Sequence, residues 1–196
     1  MLIDHMGVVF FPDADWLRMV GRLSFPLFVW LLVQGEAHTR SAWRYGLRLL
    51  LLGIVSQPIY QYLFDIERLN ILFQLLVGLS CLRLTRRWPQ LALLIWPLGA
   101  GLAESLNISY GSYGIALVLL ARYFQQTPIW WAAWTGFHWI WIWLMGPFQL
   151  LALPAPLLFG WANGRRGAKA RWFYGFYPGH LALLAVLQPV GQYAAN

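Results

Sequence analysis

Apolar runs broken by short polar punctuation set the pattern of this chain. The first run, residues 1–12, is interrupted by Asp4 and His5 and stops at PDAD. It is too short to cross a bilayer, because a spanning helix needs about 20 mostly apolar residues. A short tilted helix would serve, but the pattern favours a first helix that begins upstream of Met1. An interfacial helix is expected around residues 16–22, and LSFPLFVWLLVQG opens a second membrane helix that ends near Gly35, before EAHTR. A third run covers about 45–64, with Pro58 placed to kink it near its end. The fourth covers about 69–84 and stops at RLTRR; the fifth covers about 89–106, followed by the turn-like NISYGSYG. Further runs lie at about 113–124, 129–145, 149–162 and 172–190, and Pro154 with Pro156 is expected to break the eighth. The pattern predicts an all-α, polytopic transmembrane helical bundle of about nine membrane segments, forming one domain over residues 1–196.

Composition agrees with the pattern. The 196 residues are 60% hydrophobic and 11% charged, whereas about a quarter of a soluble domain is charged. A net charge of +7 raises nucleic acid as a partner, but no basic face or DNA-binding motif accompanies it, so none is expected. The basic residues sit instead between apolar runs. With the N-terminus inside, Arg40, Arg44, Arg48, Arg83, Arg86, Arg87, Arg122, Arg165, Arg166, Lys169 and Arg171 all fall in inner connections. Only Arg18, Arg22 and Arg68 fall outside, which is the positive-inside asymmetry of an N-in, C-out protein. The acidic residues Asp13, Asp15, Asp65, Glu67 and Glu104 lie on that outer side. The single cysteine, Cys81, excludes an intrachain disulfide and reads as a small core or lipid-facing residue. No cleavable signal peptide is visible.

Candidate chemistry rests on polar residues placed in hydrocarbon. An ionised aspartate at a helix centre costs about 2.5 to 3.5 kcal/mol on insertion scales, so Asp4 is expected to face protein or a water-filled cavity. Asp4 and His5 are about 100° apart on a helix and can reach one interior sector, where a histidine can move protons. The bland alternative has Asp4 paired with an arginine and His5 satisfying a helix carbonyl. His138 and His180 lie in two other apolar runs, either as polar links between helices or as site residues. No HExxH and no i,i+4 ligand pair is present, so no metal is expected. Arg22 either snorkels and pairs with Asp13 or Asp15, or offers a cation to a pocket. EAHTR and RRGAKAR are candidate holders of an anionic ligand, although topology and lipid attraction explain the second better. No Walker loop, GxGxxG or GxSxG occurs, which removes nucleoside triphosphatases, Rossmann cofactors and serine-elbow hydrolases. The cluster WWAAW with HWIWIW reads as an aromatic belt continuing into a helix face.

Taken in order, LIDHMGVVFFP, GRLSFPLFVWLLVQGEAHTR, LLLLGIVSQPIY, LNILFQLLVGL, YGSYGIALVLL and FYPGHLALL resemble the TraX family of integral membrane proteins. Matching positions are Asp4, His5 and Gly7, then Gly21, Arg22, Phe25 and Pro26, then Gly35, His38, Thr39 and Arg40. Later matches are Asn70, Tyr110, Gly111, Gly114, Tyr177, Pro178 and His180. The chain departs from the family in having few apolar residues before the DHxG motif, and Ser109 where Asp is common.

The family is named for an F-pilin acetylase, so the resemblance implies an acetyl-CoA-dependent acyltransferase of the bacterial cytoplasmic (inner) membrane. His5 would act as base or transient acyl carrier and Asp4 would orient its ring. Arg22 or His180 would stabilise the carbonyl oxygen, and His38, Arg40 and Arg44 would hold the coenzyme A phosphates. The acceptor is left open among a protein N-terminus, a sugar, a lipid headgroup and a small amine. Rival readings are a proton-coupled transporter or lipid translocator using Asp4, His5 and His180 as a relay, and a non-catalytic pilus or secretion assembly partner.

Overall fold

The computed structural model describes residues 1–161 and 173–188, and every regular element among them is helical. The helices are α1 (Leu2–Phe10), α2 (Asp15–Gly21), α3 (Ser24–His38), α4 (Ala42–Phe64), α5 (Ile71–Arg87) and α6 (Ala92–Ser105). They continue with α7 (Gly111–Arg122), α8 (Pro128–Met145), α9 (Ala155–Phe159) and α10 (Phe173–Leu187). Short 3-10 helices at Pro89–Leu91 and Pro147–Ala152 precede α6 and α9. The basic segment RRGAKAR lies outside the described residues.

Local signals account for the boundaries. Ser41 and Thr127 cap α4 and α8 by accepting from the amides of Arg44 and Trp130, and Asn70 caps α5 by accepting from Leu72. Asp65 at φ 49° and Gly146 at φ 88° terminate α4 and α8. Short connections make α4 and α5, α5 and α6, and α6 and α7 packed antiparallel neighbours. Arg44, Arg86, Arg87 and Arg122 therefore gather at one end of the bundle, the basic end. The α4–α5, α6–α7 and α8–α9 connections gather at the other.

Polarity is inverted relative to a soluble bundle. Glu36, Ser56, Asn70, Gln74, Thr85 and His138 are buried, while Trp43, Leu93, Ile129, Trp143 and Val186 are each more than three-quarters exposed. Such a surface is suited to lipid, and Asp15–His38 and Ala42–Phe64 are long and apolar enough to cross a membrane. At the basic end Glu36 closes the bundle by accepting from Arg83 at 3.0 Å and Arg86 at 2.9 Å. Cys81 is buried with its sulfur against Gly99.

Two expectations meet a definite outcome. Residues 15–21 do not form a separate interfacial helix. Arg22 and Leu23 keep right-handed helical backbone, so α2 runs on into α3 as a 24-residue stretch, and α2 packs along α1. Two glycines permit this approach: a Cβ on Gly21 would sit 2.7 Å from the Asp4 Cα, and one on Gly7 would sit 2.9 Å from the Leu17 Cβ. The eighth run is broken at Leu153 and Pro154, as its prolines predict. It still traverses the bundle, from Phe148, whose ring lies 5.0 Å under the Arg18 guanidinium, to Gly160 beside the Gln126 side chain.

Candidate functional site

At the end opposite the basic one, the helices leave a cavity of about 370 Å³. Asp4 and His5 of α1, Arg18 and Arg22 of the α2–α3 stretch, Tyr60 of α4 and Tyr177 of α10 line it. Arg68, Ser109, Tyr110 and Gln149 reach it from three connections.

The wall from the connections is held by backbone bonds. Leu69 donates its amide to the Asn107 carbonyl at 3.0 Å, and its own carbonyl accepts from the Ser109 amide at 2.9 Å. The same carbonyl accepts from the Ser109 hydroxyl at 2.8 Å, which leaves the Ser109 oxygen to accept from the Tyr60 hydroxyl at 2.8 Å. Asn70 anchors this corner on α4 by donating its side-chain amide to the Gly53 carbonyl at 2.8 Å and to Gln57 at 2.9 Å. Ser109 is thus a link in the cavity wall.

Tyr110 follows in the left-handed region at φ 72°, a conformation costly for a bulky residue. Gly111 is also left-handed, at φ 46°, and a Cβ there would meet the Glu104 carboxylate, which accepts from the Ser112 amide. The turn stacks Tyr110 on Phe25, ring centroids 3.8 Å apart and nearly parallel, with its hydroxyl accepting from Arg22 Nη1 at 3.2 Å. Arg22 Nη2 faces Asp4 Oδ1 at 3.6 Å, longer than a hydrogen bond. Arg22 therefore pairs across to α1, and not with Asp13 or Asp15.

The two neighbours Asp4 and His5 part company in space. Asp4 turns to Arg22, while His5 Nδ1 meets His180 Nε2 at 3.0 Å. The ring that orients His5 is that of His180, which corrects the expectation that Asp4 would do so. Tautomers follow from chemistry, since a carbonyl can only accept. His180 Nδ1 donates to the Phe176 carbonyl at 2.8 Å, so in the neutral pair His180 Nε2 holds a lone pair. His5 Nδ1 then donates to it, and the lone pair of His5 is left on Nε2. Phe64 lies against the His5 ring at 4.7 Å and excludes water from that side.

The remaining histidines differ. His138 donates Nδ1 to the Trp134 carbonyl at 2.9 Å and accepts at Nε2 from the Tyr113 hydroxyl at 3.3 Å, so both nitrogens are engaged within the core. His38 donates to the Gln34 carbonyl at 2.8 Å. With Arg40 and Arg44 it is exposed at the basic end, roughly 24 Å along the helix from Arg22 at 1.5 Å per residue. The structure brings together Asp4, His5, Arg22 and His180, and leaves His38, Arg40 and Arg44 apart from them.

Sequence reasoning missed Arg18, Tyr60, Phe64 and Arg68 as cavity residues. For Arg18 a signal was present, because it lies four residues before Arg22 and shares its helix face. The placement of Tyr60 and Arg68 depends on the Leu69–Ser109 contact, which no local pattern announces.

Comparison with known proteins adds two matches. The sequence model of a family described as TraX protein matches residues 1–188. The chain is also similar to a Dichelobacter nodosus protein named probable fimbrial assembly protein FimC, serogroup H1, at 30% identity over 222 aligned positions. That alignment covers 94% of this chain and 89% of the relative. No solved structure matches the chain.

Proposed function

The chain belongs to the TraX protein family, and from that premise we propose that its cavity performs acyl transfer from an acyl thioester, acetyl-CoA, to an amine or hydroxyl acceptor. The observation that carries the reading is the His5–His180 contact at 3.0 Å, with His5 on the cavity wall and its lone pair left on Nε2. In this reading His5 Nε2 takes the proton of the acceptor as its nitrogen or oxygen attacks the thioester carbonyl carbon. The tetrahedral oxyanion is met by a cation of the cavity, Arg22. Collapse breaks the carbon–sulfur bond, and the departing thiolate takes the proton back from His5. Base and product acid are the same nitrogen. His180 is a positioning residue that holds His5 in one tautomer, and Asp4 offsets part of the Arg22 charge.

We place the bundle in a bacterial cytoplasmic membrane with the basic end inside, supported by the clustering of Arg40, Arg44, Arg86, Arg87 and Arg122 there. The cavity mouth, at the opposite end of the bundle, then lies on the outer side. His38, Arg40 and Arg44 are the proposed landing for the coenzyme A phosphates on the inner side.

The test is transfer of labelled acetyl by the purified, reconstituted chain. Wild-type protein is expected to yield labelled product, and His5→Ala to lose it by about 10² to 10⁴-fold. Equal product from His5→Ala would remove the reading. The relative's name, a fimbrial assembly protein, favours a second one, a non-catalytic assembly partner. That reading predicts that His5→Ala impairs fimbriation only as far as it lowers the protein level, with no acetyl transferred by wild type.

A further inference from the structure

The charges around the cavity do not balance. Among its lining residues Arg18, Arg22 and Arg68 stand against one acid, Asp4, an excess of two positive charges by side chain. Arg18 and Arg22 lie four apart on one helix face, and the Nε–H of each is buried without a hydrogen-bond partner. Arg22 Nη1 is held by the Tyr110 hydroxyl at 3.2 Å and the Arg18 guanidinium lies over the Phe148 ring, but neither cation meets a carboxylate at hydrogen-bond distance. Arg18 reaches Asp15 at 3.9 Å, an acid that is 65% exposed, and Arg22 reaches Asp4 at 3.6 Å. Asp4 Oδ1 itself accepts no hydrogen bond. Three arginines lining a cavity of about 370 Å³, with one carboxylate among them, form a cradle for a planar or tetrahedral anion.

Resting on the acyltransferase reading, we infer that the acceptor carries an anionic group, a phosphate or carboxylate, a few bonds from its nucleophile. Arg18 and Arg68 hold the anion, Arg22 stays with the thioester oxygen, and the amine or hydroxyl lies toward His5. The cavity volume suits a headgroup or a small metabolite. An acceptor bearing only an amine would arrive as a cation against three arginines and would be disfavoured. The same chemistry is offered by the headgroup of an aminophospholipid and by a soluble phosphorylated amine.

The probe pair is O-phosphoethanolamine and ethanolamine, which share the amine and differ in the phosphate. Binding to the purified full-length chain is measured by tryptophan fluorescence without acetyl-CoA, and transfer by label from acetyl-CoA. Phosphoethanolamine is expected to bind and react at least about tenfold better, the worth of one charge-assisted contact. Arg18→Gln should raise its Kd and KM about tenfold and lower, not raise, those for ethanolamine, while Arg18→Lys should recover part of the loss. Reconstitution in phosphatidylethanolamine and in phosphatidylcholine vesicles separates the sources: label in the lipid of the former identifies a headgroup, and label only in added phosphoethanolamine identifies a soluble acceptor. Equal binding of both amines, or an Arg18→Gln change shared by both, overturns the inference. Preferential binding without labelled product would sink the transferase reading and leave the anion preference standing; product without preference would do the reverse.

Discussion

Two buried carboxylates in one bundle are treated in opposite ways. Glu36, 2% exposed at the basic end, has both oxygens taken by arginines at 3.0 and 2.9 Å. Asp4, in the cavity at the other end, faces Arg22 at 3.6 Å and leaves Oδ1 without a hydrogen bond. Removing a carboxylate from water is costly, and full pairing is the usual compensation. Glu36 is arranged for that purpose alone and ties α3 to α5. The Asp4 cluster forgoes part of its compensation, a cost that a molecule bound among its groups would offset. On the proposed acyl-transfer reading, unsatisfied polarity separates a working cavity from a clamp that is architecture.

The contrast breaks most sharply at His5. If the cavity works and the clamp only holds, His5→Ala loses about 10² to 10⁴-fold in transfer while its thermal midpoint in detergent stays near wild type. Next, Gly21→Ala should force α1 from α2, because the added Cβ would meet the Cβ, Cα and N of Asp4, none of which can swing aside. An overpacking cost of about 1–3 kcal/mol is expected in denaturation, together with loss of transfer as Asp4 and His5 shift. Glu36→Ala should show the converse, a loss of about 1–3 kcal/mol in stability with activity per folded molecule retained. Activity lost in step with His5→Ala at unchanged stability would show that the clamp is no mere fastening. His180→Gln should lower kcat about tenfold with little change in KM, since it removes a fixed tautomer and not a contact with substrate. The smallest effect is in pH: transfer needs the free lone pair, so the rate should rise with pH as the histidine pair loses its proton, then level off. His180→Gln should move that inflection, which a packing residue would not do.

Helices and their order were legible because lipid-facing runs are long and their breaks polar. Pro154 and Pro156 announced the interruption of the eighth run for the same reason. The 15–21 segment misled because Trp16, Arg18 and Arg22 give it an interfacial look. What turns it into the continuation of α3 is the close approach to α1 at Gly7 and Gly21, and a glycine alone does not say what approaches it. At the site, Asp4, His5 and Arg22 stood out as polar residues within or beside apolar runs. Their pairing did not, because adjacency in sequence suggested an Asp4–His5 couple while the fold supplied His5 with a partner 175 residues away. Arg18 and Arg68 were read as topology signals, since charge at a helix end looks the same whether it meets headgroups or a cavity.

The tautomer chain decides what kind of proton traffic is possible. From His5 through His180 every donor points the same way and the line ends on the Phe176 carbonyl, which takes no proton. A conduit needs an exit as well as an entrance, and this one is a cul-de-sac. A proton taken up at His5 Nε2 leaves by the way it came, handed to whatever stands in the cavity. Borrow-and-return is the traffic that the proposed acid–base chemistry needs, whereas a transmembrane relay would need a second exit beyond the Phe176 carbonyl.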